Sequence, residues 1–183
     1  MRRVCIDTMI LSWGIKKKAD PTQQHMIPWA EAFLRGLEKQ ETMILVPSVI
    51  LHELLVPIPP DLYAEFLRRF TKGWMVVPYD LVAARWSAQV WAKNGPEYSG
   101  ELARDHPELP FVRRTLKADC MIIGTALAQK ANCIYSHDEK HVVRLAKDFI
   151  DVRQMDGNLE LDLKVTDTED DQNENENGED NEG

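Results

Sequence analysis

Apolar residues along this chain follow two alternating patterns. Short runs rich in β-branched and aromatic residues, at 3–6, 43–46, 74–77, 133–136 and 149–152, predict buried strands. Between them the apolar positions recur at helical spacing, which predicts helices over 28–40, 47–56, 61–72, 80–93, 119–130 and 139–147. Strands alternating with helices imply an α/β domain: three layers, with a central, mostly parallel sheet of four to five strands and helices on both faces.

Local signals refine this outline. The stretch PSVILHELLV at 47–56 is apolar on nearly every side, so it reads as a buried helix, stopped by Pro57, Pro59 and Pro60. Gly73 is placed to cap the helix over 61–72. In 80–93, Val82, Trp86 and Val90 form one stripe, and Asn94-Gly95-Pro96 is expected to end the helix. The polar stretch 97–110, with Gly100, Pro107 and Pro110, reads as a long loop or lid. Residues 166–183 (TDTEDDQNENENGEDNEG) contain no apolar side chain, cannot offset their ordering entropy by burial, and are expected to be disordered. The division that follows is a domain over 1–152 and an acidic tail over 153–183.

Charge changes the picture once it is divided by region. The chain has 183 residues and a net charge of −8, but 151–183 hold 13 acidic and 2 basic residues, while 1–150 hold 17 acidic and 20 basic. The folded part is mildly basic. Its hydrophobic content of 44% suffices for a single core. Cys5, Cys120 and Cys133 each lie in an apolar run with no C-x-x-C spacing, which argues against both a disulfide framework and a zinc site. No run approaches the roughly 18 apolar residues of a membrane span. The expectation is a cytoplasmic protein that is neither exported nor anchored.

Four acids stand out against this background: Asp7, Glu53, Asp119 and Asp138. Asp7 ends the run Val4-Cys5-Ile6, Asp138 lies just past Cys133-Ile134-Tyr135, and Glu53 and Asp119 sit in stretches otherwise apolar on nearly every side. Asp7, Asp119 and Asp138 each precede a predicted helix, so a helix cap is the plain alternative for each. Glu53 is predicted to be mid-helix, where it caps nothing and would be a buried, unpartnered charge. In a parallel α/β sheet the ends of the strands before Asp7 and Asp138 share one edge, where ligands bind. Two unit charges about 4 Å apart repel by about 4 kcal/mol at an effective dielectric of about 20. A divalent cation is the simplest relief, and an all-oxygen ligand set favours magnesium or manganese. Carboxylate-held cations of this kind serve phosphodiester hydrolysis.

The blocks Val4-Cys5-Ile6-Asp7-Thr8, Pro47-Ser48-Val49-Ile50-Leu51-His52-Glu53-Leu54, Asp119-Cys120-Met121-Ile122-Ile123-Gly124-Thr125-Ala126-Leu127 and Ser136-His137-Asp138 resemble, in order and spacing, the four signature blocks of PIN-domain ribonucleases. The resemblance covers 3 to about 152. It implies an α/β/α fold and a Mg2+- or Mn2+-dependent RNA endonuclease, with Asp7, Glu53, Asp119 and Asp138 as catalytic and metal-binding acids and Ser136 as the hydroxyl that orients them. Many bacterial members resemble VapC-type toxins, which implies a small antitoxin partner and a homodimer. The segment 97–110 and the acidic tail are additions to the compact toxin pattern.

The remaining features divide between surface and site. Lys16-Lys17-Lys18, Arg113, Arg114, Lys117, Lys140 and Arg144 flank the acidic blocks and are placed to hold RNA phosphates, or else form ordinary solvated surface. His52, His137 and His141 lie near the acids without a metal-ligand spacing. Trp13 is a candidate for base stacking or core, while Trp29, Trp74, Trp86 and Trp91 read as core. The acidic tail reads as a solubilising appendage, a contact for a basic partner, or a mimic of nucleic acid that covers the basic rim. Two other classes compete with the nuclease. One is a catalytically silent PIN-like RNA-binding or scaffolding domain, against which the intact acidic set argues. The other is an Asp-dependent phosphatase or receiver, against which Met9 and Glu53 argue.

Overall fold

The computed structural model describes residues 1–40, 42–68, 70, 74–105, 112–138 and 140–155. Among these residues five strands form one sheet: β1 (Arg3–Ile6), β2 (Met43–Pro47), β3 (Trp74–Val77), β4 (Cys133–Tyr135) and β5 (Val152–Arg153). Their order is β3-β2-β1-β4-β5, and every pairing is parallel. The central strands β1, β2 and β4 are nearly all buried, as expected of strands covered on both faces. β3 lies at one edge, with Met75 and Val76 exposed.

Among the described residues, seven α-helices connect the strands: α1 (Thr8–Gly14), α2 (Met26–Lys39), α3 (Ser48–Leu55), α4 (Tyr63–Leu67), α5 (Leu81–Asp105), α6 (Val112–Ala128) and α7 (Val142–Ala146). Parallel crossovers are right-handed, so connections that step from β1 towards β3 and those that step back to β4 and β5 cover opposite faces. The packing agrees: α1 touches α2 and α3, whereas α5, α6 and α7 touch one another. The chain moves outward from β1 to β3 on one side, then crosses to β4 on the other. β1 and β4 therefore flank the point where strand order reverses, the place where parallel α/β sheets hold their ligands.

Several boundaries differ from expectation for physical reasons. β5 falls at 152–153 instead of 149–152, because the N–H groups of Phe149 and Ile150 bond the Ala146 carbonyl in the turn that closes α7. α3 is not buried all round. Only Ile50 and Leu54 are buried, while His52 and Glu53 face outward and Val56 at its end is 65% exposed. α5 does not stop at Asn94-Gly95-Pro96 but runs through Pro96. The Trp91 ring occupies the space beside Gly95, the Asn94 amide donates to the Leu145 carbonyl, and Tyr98 and Ser99 beyond the proline are buried. Packing outweighs the lost proline N–H. The loop or lid expected at 97–110 is thus helix as far as Asp105, and 106–110 lie outside the described residues. The buried stripe of α5 is Ala83, Ser87 and Val90 rather than Val82, Trp86 and Val90.

α6 begins at Val112, seven residues before the expected start. Its C-terminus carries paired bonds from Lys130 N–H to Leu127 O and from Ala131 N–H to Ala126 O, with Lys130 in the left-handed region at φ 54°. α4 is shorter than expected and follows a 3-10 turn at Pro60–Leu62; Gly73 lies outside the described residues. α2, α3 and α7 match the expected helices to within a few residues at each end. The tail from 156 onward also lies outside the described residues, and among those described no helix is long and apolar enough to cross a membrane.

Candidate active site

Asp7 directly follows β1 and caps α1, its Oδ1 accepting from Thr8 N–H at 2.7 Å. It is only 7% exposed, and its other oxygen accepts from the Ser136 hydroxyl at 2.6 Å. Ser136 directly follows β4, and its oxygen in turn accepts from Asp138 N–H at 3.0 Å. One buried hydroxyl therefore links the Asp7 carboxylate to the Asp138 backbone. Asp138 Oδ1 also accepts from the N–H groups of Lys140 and His141 in the turn before α7; the N-cap of that helix is His141, without a side-chain capping bond, so Asp138 ties down the turn and is not the helix cap.

Glu53 departs from expectation in its surroundings. It is exposed, and it has a partner: its Oε2 accepts from Thr8 Oγ1 at 2.5 Å. The reading of Glu53 as a buried, unpartnered charge is thereby corrected. The Thr8 link was missed in the sequence, where only the adjacency of Thr8 to Asp7 hinted at it. Asp119 departs in its element. It is mid-helix in α6, not a cap, and shares a face with the buried residues Ile122, Ile123 and Ala126.

The four acids act on one another electrostatically. Burial, and after it the charges of Asp7, Asp138 and Glu53, push the Asp119 carboxyl up to about 8. Asp7 is also raised, chiefly by burial and further by Asp138 and Glu53, against the opposing hydrogen bonds from Ser136 and Thr8. Tyr98 on α5 belongs to the same neighbourhood: burial raises it, Arg144 opposes, and Asp138 and Asp119 raise it further. Sequence reading ended α5 too early to bring Tyr98 to the site.

Two observations bear on a bound cation. Among the described residues, no group of three or more His, Cys, Asp or Glu side chains stands in a geometry that would already hold a metal ion. Yet Asp119 Oδ2 is buried and has no hydrogen-bond partner among the described residues. A buried carboxylate oxygen left unpaired is costly. An all-carboxylate neighbourhood with one orphaned oxygen fits a hard cation that draws the acids together.

The flanking residues sort unevenly. Lys17 pairs with Glu31 at 2.9 Å, Arg144 pairs with Glu101 and lies over the Tyr98 ring, and Lys117 lies over Trp91. Lys18, Arg114 and Lys140 are exposed; the Arg113 side chain lies outside what is described. His52 is exposed, His137 Nε2 accepts from Met155 N–H, and His141 Nδ1 is buried with no hydrogen-bond partner among the described residues. Trp13 is core, 3% exposed, with its ring edge-on to His137, so it offers no free face for a base. Trp29, expected in the core, is 55% exposed.

A parallel five-stranded sheet between helical layers, with acids gathered where strand order reverses, is the architecture of the PIN fold. The sequence matches no family model and no curated protein. Among solved structures, this chain is similar to VapBC2 from Rickettsia felis bound to a DNA fragment from its promoter, with 15% identity, a TM-score of 0.52, and coverage of 84% of this chain and 99% of that one. DNA-bound VapBC from Salmonella typhimurium is also similar, with 20% identity, a TM-score of 0.48, and coverage of 85% and 100%. The first likeness shows the fold alone, the PIN-like three-layer α/β/α architecture.

Proposed function

We propose that this chain is a Mg2+- or Mn2+-dependent endoribonuclease, with Asp7, Glu53, Asp119 and Asp138 as its catalytic and metal-holding acids. The observation that carries the reading is Asp119: a half-buried carboxyl, one oxygen of which is buried without a hydrogen-bond partner among the described residues, pushed up to about 8 by burial and three other acids. A purely structural acid would be expected to have a donor for that oxygen. When bound, a divalent cation supplies Lewis acidity, polarising a phosphoryl oxygen and making water a better nucleophile. The chain's own part is positioning. Ser136 fixes Asp7 and the Asp138 backbone, Thr8 fixes Glu53, and α6 presents Asp119 from the adjoining layer.

The biological setting proposed is the toxin of a toxin–antitoxin pair, a cytoplasmic homodimer restrained by a small antitoxin. The support is the fold shared with a chain of the VapBC2 complex. A catalytically silent RNA-binding or scaffolding domain is the second reading, favoured by the lack of a ready-made metal geometry among the described residues.

The deciding experiment compares wild type, Asp7→Asn and Asp119→Asn on single-stranded RNA with Mn2+ or Mg2+ and with chelator. Cleavage by wild type that needs the metal and falls at least a hundredfold in both variants is the expected outcome. Calorimetric Mn2+ binding without cleavage selects the silent domain, and undiminished cleavage by either variant refutes the acid assignment.

A further inference from the structure

Helix α1 and the turn after it form the wall of an open cleft of about 320 Å3, lined by Met9, Ser12, Trp13, Lys16, Lys18 and Gln23, among others. The first four fall at i, i+3, i+4 and i+7, one face of the helix and its C-terminal turn. The volume is at the small end of the about 300–1,000 Å3 typical of ligand sites.

The cleft is tied to the acid-bearing segments at two points. Trp13, in its wall, lies edge-on to His137 with ring centres 5.5 Å apart, and His137 immediately precedes Asp138. Lys16 donates from Nζ to the Leu54 carbonyl at 3.0 Å, and Leu54 immediately follows Glu53. The N-terminal end of α1 is Asp7 itself. A strand lying along this face would run from the acids toward the lysines.

Backbone geometry decides which lysines face the cleft. Lys17 adopts φ 54°, and Lys18 N–H returns to the Ser12 carbonyl at 3.1 Å. This reversal folds the chain back over the end of α1. Lys16 and Lys18 then line the cleft, whereas Lys17 turns away to pair with Glu31. Burial, and then the charge of Lys18, lower Lys16, as expected of crowded ammonium groups that an anion would relieve. One carboxylate, Asp20, also lines the cleft, against the two ammonium groups.

We propose that this cleft is the track along which single-stranded RNA reaches the acids, with Lys16 and Lys18 holding backbone phosphates; this rests on the nuclease reading above. Phosphate contacts of this kind set register and affinity without reading sequence. Lys16 keeps donor capacity for a phosphate, because an ammonium has three N–H bonds and Leu54 takes one.

The test uses the full chain carrying Asp119→Asn, so that RNA binds without turnover, and a fluorescein-labelled decauridine followed by anisotropy over a series of salt concentrations. In that background Lys18→Glu is expected to weaken binding roughly tenfold at low salt, with a smaller loss for Lys18→Gln. The slope of log K against log salt should fall by about 0.7 for each phosphate that the protein no longer neutralises. Lys147→Glu, an exposed residue beside a different cleft, should change neither quantity. With Asp119 restored, Lys18→Glu should raise KM while kcat holds. Affinity and slope in Lys18→Glu equal to those of the parent overturn the proposal, whatever the protein cleaves. Lys18-dependent binding by a protein that cleaves no RNA refutes the nuclease reading instead and leaves the cleft standing.

Discussion

Burial and three neighbouring carboxylates keep Asp119 protonated up to about pH 8, whereas an unfolded chain releases that proton near pH 4. Between those values the folded state holds a proton that the unfolded state has lost, so stability falls as pH rises, and the full penalty is present above about 8. Asp7, also raised, contributes with the same sign. Chemical denaturation in chelator should therefore show the wild type less stable at pH 8 than at pH 5. Asp119→Asn should flatten that dependence and be the more stable protein at pH 8. Mn2+ should restore stability at pH 8 to the wild type but not to the variant; an equal response in both would remove Asp119 from the metal site. The acids themselves were legible because each interrupts an apolar run. Their surroundings were less so. Nothing in the string distinguishes an exposed Glu53 held by Thr8 from a buried one, since a helix apolar on nearly every side does not announce which face it buries.

Helix α6 brings Asp119 to the pocket only as well as it seats against α5. At Gly124 the two backbones approach so closely that an added Cβ would stand 2.6 Å from both the Ala83 carbonyl oxygen and the Ser87 nitrogen. Neither is the free end of a flexible side chain. Gly124→Ala should therefore force the helices apart, costing about 1–3 kcal/mol as overpacking typically does. Denaturation would measure the cost, and an unchanged midpoint would show that the close approach yields easily. The motif containing Asp119 identified Gly124 as a signature position but not what it packs against, because its neighbours lie about 40 residues earlier in the chain. The course of α5 was hidden for a related reason. Asn94, Gly95 and Pro96 are local stop signals, but here the Asn94 amide is taken by Leu145 and the missing Gly95 side chain makes room for Trp91. Tertiary partners overrode the local code, and Tyr98 came to the site with the helix that local reading had ended.

The strand order was legible only as far as parallel β/α alternation carries it. The three strands recognised as short apolar runs at 3–6, 43–46 and 74–77 appear within a residue of expectation, and β4 is one residue shorter. Which strand lies beside which depends on long-range pairing that periodicity does not encode. Charge also acts over these longer distances. Residues 151–183 carry 13 acids and 2 bases, on a chain whose preceding 150 residues are net positive. Deleting 156–183 should strengthen RNA binding at low ionic strength and leave it little changed at high salt, where long-range repulsion is screened. Equal affinity at low salt for the deleted and full-length chains would rule out such repulsion.

The hydroxyl of Ser136 and the carboxylate of Asp7 meet across 129 positions of sequence. During synthesis, then, a ribosome releases Asp7 early but finishes the pocket only after the fourth strand has emerged and slotted beside the first. A nascent chain interrupted anywhere before that strand lacks Ser136 and Asp138, so a cell making the protein meets its proposed nuclease activity only when the domain is almost complete.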